Sequence, residues 1–324
     1  MKRCKTIWRS CLAAAILAAA LHAQAAAALP AYLIPGGNTV GIKMYTQGLV
    51  ITELSDGSAA ERAGLKKGDT ILEVDGKAVD SAQVLTDCLQ AGQNVVLTVL
   101  RDGKQAEFLV APVQTENGYK LGVYIRDSIA GIGTVTYYDP LTGAFGALGH
   151  GVNDLSGTRL LSMQKGFVVP SSVDEVRKGS RGAAGQLHGE FDVTRALGTV
   201  EKNTARGLFG TMASIPNRTA LPVADSTQIK TGEASILSNV DGTTVEEYAV
   251  HIDKLYPNAE NGRNLLLTVT DERLLEKTGG IVQGMSGSPI IQDGKLVGAV
   301  THVLVNDPTR GYGIFIENML EAAE

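Results

Sequence analysis

Short runs of apolar residues, separated by turns rich in glycine, recur along most of the chain. Short runs rich in apolar residues and bounded by turns predict strands over residues 48–54, 70–74, 95–100 and 105–110. An apolar stripe at helical spacing over residues 81–91 predicts a helix. A shorter helix is predicted where Ser58 can cap a turn that Gly64 ends. Two helices among several short strands indicate a small mixed domain in this part of the chain.

The stretch SAAERAGLKKGDTILEVDGKAV, residues 58–79, resembles the PDZ domains of bacterial proteases. We assign residues 36–113 to such a domain. The resemblance implies a groove between the second helix and an edge strand, where an extended peptide binds by strand addition. In such domains a loop that contains glycine offers backbone N–H groups to a terminal carboxylate. We expect Val40, Gly41 and Ile42 to form that peptide-binding loop, the alternative being that Gly41 only makes a turn.

Residues 118–324 also alternate short apolar runs with glycine-rich turns, and no long amphipathic helix interrupts them. This pattern favours a β-barrel or a β-sandwich. Residues 271–277 are the exception, because they have a short helical pattern that Gly279 and Gly280 end.

The sequence GMSGSP, residues 284–289, carries the strongest chemical signal. A nucleophilic serine needs an exposed hydroxyl and backbone N–H groups directed at the developing oxyanion. Glycine lets the chain approach a substrate carbonyl without a side chain in the way. We therefore expect Ser286 to be the nucleophile and the amides of Gly284 and Ser286 to form the oxyanion hole.

The residues after this loop support the same interpretation. A hairpin with an Asp-Gly turn follows over residues 289–302, and then a strand that begins at Gly311. The second barrel of chymotrypsin-like proteases ends in this order. The predicted fold is thus mostly β, a PDZ domain followed by a chymotrypsin-like double β-barrel. Val300, Thr301 and His302 would line the substrate pocket.

His150 is the candidate base, because it lies where a short apolar run ends in glycines, in GALGHGVND. It also precedes the nucleophile, as the chymotrypsin order requires. The third member stays open. Asp271 could orient the imidazole or cap the helix that follows it. Asp154 and Asp253 are the alternatives.

Composition and the amino terminus limit the remaining possibilities. Hydrophobic residues make up 44% of the chain and the net charge is −5, which fits globular cores and disfavours a nucleic-acid surface. Residues 1–29 have a basic start and an apolar run, so they predict an exported chain with a signal peptide or a signal anchor. Cys88 is the one cysteine beyond that segment. No metal-ligand motif is present, and we expect neither metal nor cofactor.

Several motifs together resemble the stage IV sporulation protein B (SpoIVB) peptidases. They are LIPGG at residues 33–37, GIGTVTYYDP, GALGHGVND, TDERLLEKTGGIVQGMSGSPIIQDGKL and GYGIFIENML. The resemblance covers nearly the whole chain. It implies a serine endopeptidase domain over residues 118–324, with His150 as base, Ser286 as nucleophile and Asp271 as the acid.

The resemblance also implies a biological role. Such proteins are exported across the forespore membrane into the space between the two membranes around it, and they process themselves. They then cleave a membrane-embedded regulator of an intramembrane metalloprotease, which leads to maturation of a sigma factor. The alternatives are an exported PDZ adaptor with a vestigial protease fold and a quality-control protease of the HtrA type, in which the protease precedes the PDZ domain.

Overall fold

The described chain begins with one short and one long strand. A computed structural model describes residues 30–154, 157 and 159–324, and residues 31–324 form one compact unit. The first strands are β1 (Tyr32–Pro35) and β2 (Thr39–Leu54). The signal sequence predicted over residues 1–29 lies outside the described residues.

A small mixed unit follows β2. Its elements are α1 (Ala59–Arg62), β3 (Thr70–Val74), β4 (Lys77–Ala78), α2 (Ala82–Leu89), β5 (Val95–Arg101), β6 (Lys104–Val110), β7 (Val113–Thr115) and β8 (Gly118–Lys120). The hydroxyl oxygens of Ser58 and Ser81 cap the two helices, each accepting from a backbone N–H three residues later. Leu85 and Leu89 of α2 pack on the strands, because helical spacing puts them on one face. The predicted PDZ domain is confirmed.

The next strand, β9 (Val123–Tyr138), is as long as β2 and pairs with it. It is followed by β10 (Ala144–Ala147), β11 (Met163–Pro170), β12 (Glu175–Arg177), β13 (Gln186–His188), β14 (Gly198–Thr204) and β15 (Gly207–Met212). The ring β2-β9-β10-β15-β14-β11 closes a first barrel of six strands. Buried aliphatic and aromatic side chains from these strands fill it, among them Val40, Phe145 and Leu208.

The PDZ unit is inserted into this first barrel. Residues 39–45 of β2 pair with residues 128–134 of β9 in the barrel, whereas residues 50–54 pair with residues 123–126 in the PDZ unit. Both long strands thus belong to both units. The predicted boundaries, 36–113 and 118–324, are corrected accordingly: the peptidase begins with β1 and β2, and the PDZ unit extends into β9.

The second barrel is formed from the carboxyl-terminal third of the chain. After β16 (Leu221–Pro222), which pairs with β1, it consists of β17 (Gly232–Asp241), β18 (Thr244–Leu255), β19 (Leu265–Val269), β20 (Pro289–Gln292), β21 (Lys295–Leu304) and β22 (Asp307–Phe315). Two helices accompany it, α3 (Glu272–Thr278), which ends at Gly279 with φ 74°, and α4 (Ile316–Ala323). The predicted double barrel is confirmed. Among the described helices, none is long and apolar enough to cross a bilayer.

Candidate active site

The GMSGSP loop, between α3 and β20, lies where the two barrels meet. Thr134 of β9 holds it from the first barrel: its backbone N–H donates to Ser286 O at 3.0 Å, and its hydroxyl donates to Gly284 O at 2.7 Å. Gly287 is required here, because a Cβ at this position would lie 2.0 Å from Thr134 O. The loop is therefore fixed by a strand of the other barrel.

The nucleophile loop leaves its chemically important groups available. Ser286 is half-buried, and its hydroxyl donates to Thr301 O at 2.9 Å. The N–H groups of Gly284 and Ser286 take part in no hydrogen bond among the residues described. Met285 is fully buried in the core of the second barrel. The loop thus presents two unpaired amides beside the serine, the arrangement that an oxyanion hole requires.

Two residues in the left-handed backbone region bring His150 to this loop. Leu148 and Gly149 both have φ of 68°, which is strained for leucine. Gly149 lies against β21, because a Cβ on it would be 2.8 Å from Thr301 Cγ2. His150 and Ser286, predicted from the sequence to share a cleft, are thus both placed at the same point of β21. In this structure the serine hydroxyl is bonded to Thr301 rather than to the imidazole.

The imidazole of His150 is held in one tautomer. Its Nδ1 lies 2.9 Å from the carbonyl oxygen of Gly151. A carbonyl only accepts hydrogen bonds, so Nδ1 carries the proton and Nε2 keeps its lone pair. Burial lowers the pKa of His150 below its ordinary value of 6.5. His150 is therefore a neutral base at physiological pH.

A second histidine lies beside the first. The rings of His150 and His302 have centroids 5.4 Å apart. Burial, together with the nearby His150, lowers the pKa of His302 to about 4. Of the predicted pocket residues, Val300 packs into the barrel core and the Thr301 hydroxyl donates to Tyr312 O. The parts of this strand seen in contact with the two candidate catalytic residues are the Thr301 carbonyl, which accepts from Ser286, and the His302 ring, which lies beside His150.

The structure does not bring Asp271 to His150. Asp271 caps α3: its carboxylate accepts from the backbone N–H groups of Arg273 and Ala249 and pairs with the Arg273 guanidinium at 2.9 Å. These donors lower the pKa of Asp271 to about 2, the Arg273 side chain most.

The contacts of Asp271 among the described residues do not include His150. The pKa of His150 is shifted by burial, which lowers it, and by the Gly151 carbonyl, which raises it, rather than by a carboxylate. The helix-capping alternative describes the contacts of Asp271. The predicted role of Asp271 in orienting His150 is thus not supported by any contact in this structure. Asp253 is likewise engaged elsewhere, with His251 and Arg310.

Three contributions to the site were not predicted. They are the two hydrogen bonds from Thr134 to the nucleophile loop (the Thr134 clamp), the Gly151 carbonyl, and Asn203, whose side-chain amide bonds both the N–H and the C=O of Val152. A backbone carbonyl leaves no trace in residue type. Thr134 does lie within GIGTVTYYDP, so the motif marked the right segment without showing its role.

A cleft of about 370 Å³ adjoins the oxyanion loop. One wall is Ala130–Ile132 of β9, another is Gln283 and Gly284, and residues 186–189 of the β13 segment form a third. His188 is one of the lining residues of this cleft.

The predicted carboxylate loop is wrong. Val40, Gly41 and Ile42 lie in the barrel half of β2, where both backbone edges are used, one by β9 and one by β11. The apolar groove of the PDZ unit lies elsewhere, between α2 and residues 120–125. Leu121-Gly122-Val123 repeats the same apolar–glycine–apolar pattern there, and Gly122 has φ 77°.

A metal site is not among the described features. The described residues contain no group of three or more histidine, cysteine, aspartate or glutamate side chains that could hold a metal ion.

Comparison with known proteins matches both parts of the chain. Residues 117–320 match the family model "SpoIVB peptidase S55", and residues 50–101 match the model of a PDZ domain. A probable periplasmic serine endoprotease, DegP-like, of Chlamydia trachomatis is 36% identical over 94 residues, which are 26% of this chain and 18% of that protein. A putative zinc metalloprotease of Treponema pallidum is 44% identical over 85 residues, which are 26% of this chain and 19% of that protein. The chain spans about a fifth of the length of these relatives.

Solved structures resemble parts of the chain distantly. The inactive form of the Rv3671c protease from M. tuberculosis covers 59% of this chain and 82% of its own, with 14% identity and a TM-score of 0.35. The PDZ domain of an SdrC-like protein from Listeria monocytogenes covers 25% of this chain and 90% of its own, with 23% identity and a TM-score of 0.23.

Proposed function

We propose, from the premise that this chain belongs to the SpoIVB peptidase S55 family, that it is a serine endopeptidase with a Ser286–His150 pair. One observation carries the proposal. His150 lies beside the ring of His302 and Ser286 is bonded to the carbonyl of Thr301, although 136 positions separate the two residues. Nε2 of His150 carries no proton, and the amides of Gly284 and Ser286 have no hydrogen-bond partner among the described residues.

Catalysis begins when the hydroxyl of Ser286 leaves Thr301 O. A substrate N–H that binds this carbonyl competes for the same acceptor, and rotation of the serine to another staggered rotamer then directs its hydroxyl at His150. Nε2 takes the proton as Oγ attacks the peptide carbonyl. The oxyanion is received by the N–H groups of Gly284 and Ser286.

The Gly151 carbonyl takes over the orienting task that Asp271 was expected to perform. It holds Nδ1–H throughout, so the imidazolium formed in the first step faces the leaving amine with its Nε2 proton. That proton passes to the amine. Water then attacks the acyl-enzyme, His150 again acting as base, and the cycle closes.

The substrate is proposed to be a protein with an extended segment that docks in the PDZ groove. Apolar Leu85 and Leu89 line that groove, and Lys120 beside Gly122 complements a terminal carboxylate. We further propose that the chain is exported, processes itself and cleaves a membrane-associated regulator of an intramembrane metalloprotease in sporulation signalling. Family membership and the apolar amino terminus support this role.

The test compares Ser286→Ala with the wild-type full chain. Wild type should release self-cleavage products, identified by amino-terminal sequencing, and should be labelled by a fluorophosphonate probe; Ser286→Ala should do neither. Ser288→Ala is the matched control, since Ser288 is two residues away, fully buried and bonded to Ser238. Labelling of Ser286→Ala at an unchanged rate refutes the mechanism. An unlabelled wild-type chain that still binds peptides would instead be an adaptor, and casein degradation without sequence preference would indicate quality control.

A further inference from the structure

Strand β9 lines both functional cavities. Its residues Ala130–Ile132 form one wall of the cleft beside Gly284, and its residues Val123–Ile125 form one wall of the PDZ groove. Between these two places the outer edge of β9 has no partner strand within the described part of the chain, because β2 occupies the other edge. A single open backbone edge thus joins the catalytic cleft to the groove.

The backbone groups at the catalytic end point outward. The N–H of Thr134 donates to Ser286 O, and its C=O accepts from Leu148 N, so both are directed away from β2. Backbone groups alternate along a strand. Ile132 and Ala130 therefore direct their own N–H and C=O groups into the cleft, where an extended peptide can bond to them.

The backbone groups at the PDZ end also point outward. Ile51 stands opposite Ile125, and the backbone of Ile51 is bonded on its far side to Asp69 and Gly68. The pair is thus a non-hydrogen-bonded one, which leaves the N–H and C=O of Ile125 on the open edge. Alternation places Val123 in the same direction.

We propose that one extended peptide pairs antiparallel with β9 along this whole edge, so that the enzyme cleaves its substrates at a fixed distance from their carboxyl terminus. The occupant is the carboxyl-terminal segment of a protein substrate. Its terminal carboxylate lies at Lys120–Gly122, its last side chains contact α2, and its scissile bond reaches Ser286. This inference rests on the proposed peptidase function and adds the substrate's geometry to it.

Strand geometry sets the distance. Val123 and Ile132 are nine residues apart, about 30 Å at the rise of a β-strand. The backbone groups of odd-numbered residues face the open edge up to Ile125, and those of even-numbered residues face it from Ser128 onward, because the pairing with β2 is irregular between them. The peptide therefore needs one extra residue to follow this bend. The scissile bond should therefore lie about 10–12 residues before the carboxyl terminus.

The test uses the full chain and a library of 30-residue peptides, randomised except for a carboxyl-terminal valine, made as free acids and as amides. Mass spectrometry measures how far each cut lies from the carboxyl terminus. Free acids should be cut at least about tenfold more often at 10–12 residues than elsewhere, since docking raises the local concentration of the bond. Amidation should remove this maximum.

Two variants on one helix sharpen the test. Thr86→Trp fills the groove and should flatten the distribution, whereas Gln83→Trp, on the face of α2 away from the groove, should leave it unchanged. Cuts spread evenly over all distances, a maximum at another distance, or indifference to amidation each overturn the inference while leaving the peptidase intact. No cuts together with no fluorophosphonate labelling overturn the proposed function itself.

Discussion

Replacing Thr134 by valine removes one hydroxyl and preserves the shape of the side chain. In the native protein this hydroxyl donates to Gly284 O at 2.7 Å from a fully buried position. Its loss leaves the half-buried carbonyl of Gly284 without its protein donor, which costs up to about 2 kcal/mol. The backbone bond from Thr134 N to Ser286 O remains, so the nucleophile stays in place while the oxyanion amide of Gly284 loses its support.

The expected result is a loss in kcat with little change in KM. A cost of about 2 kcal/mol that acts on the transition state corresponds to roughly a 30-fold fall in rate. Thr134→Ser keeps the hydroxyl and should recover most of the activity. The assay is steady-state cleavage of one library peptide, with the rate of fluorophosphonate labelling as a second readout that needs no substrate.

Thr136→Val is the matched control. Thr136 lies two residues further along β9 and is equally buried, but its hydroxyl has no hydrogen-bond partner. Its replacement should leave kcat unchanged and should not lower the free energy of unfolding. Equal effects of Thr134→Val and Thr136→Val, or a Thr134→Ser protein as slow as Thr134→Val, refute the clamp.

Four further predictions concern pH and ion pairs. The pKa of His302 is about 4 in the folded protein and near 6.5 in the unfolded chain, so the unfolded chain binds more protons between these pH values. The free energy of unfolding, measured with urea, should therefore fall as the pH drops from about 6.5 towards 4. The lowered pKa of His150 should keep kcat/KM level to below pH 6.5. Asp271→Asn should cost less than about 1 kcal/mol of stability in the same unfolding assay, because asparagine also caps helices and the paired Arg273 side chain is exposed, and it should leave the acid limb of the pH–rate profile in place. Arg101→Met should cost about 3 kcal/mol in urea unfolding, because it leaves Asp69, 2% exposed, without its bidentate partner.

The controls and contrary outcomes are specific to each. An acid limb with its midpoint above pH 7 would contradict the assignment of His150 as a neutral base. A fall of about 10⁴ in kcat for a well-folded Asp271→Asn protein would restore it as a triad acid. Arg159→Met breaks an exposed pair with Asp102 and should cost less than about 1 kcal/mol. Equal costs for the two arginine variants would refute the burial argument.

Local signals predicted the elements well where one short segment decided them. Ser58 caps a helix, Asp293-Gly294 forms the turn of the β20–β21 hairpin, and Gly279 ends α3, as predicted. The GMSGSP loop is recognisable in the sequence because its glycines are required by close backbone contacts. Gly287, for example, packs directly against the carbonyl oxygen of Thr134. These features depend on neighbours in sequence or on one steric requirement.

The pairing of strands that are far apart in the chain could not be predicted from the sequence. Val40-Gly41-Ile42 and Leu121-Gly122-Val123 have the same local pattern, and only the strands beside them decide which is an open groove. Asp271 shows a similar ambiguity, since the same carboxylate at the start of a helix suits a cap and a triad. Arg273 is two residues away, as a helix cap requires, whereas Ala249, the other backbone donor to this carboxylate, is 22 residues away on β18 and is brought close only by the fold.

The double passage of the chain between barrel and PDZ unit changes what can be done to this protein. Modules joined by one linker separate after a single nick, but here a protease would have to sever both β2 and β9, and either cut would open the barrel that carries His150. Deleting residues from the amino terminus past residue 39 would remove part of strand β2 from the first barrel before it removed any residue of the PDZ unit. Excising that module means splicing β2 to β9 with a tight hairpin, and such a graft is the way to ask whether the catalytic half can work alone.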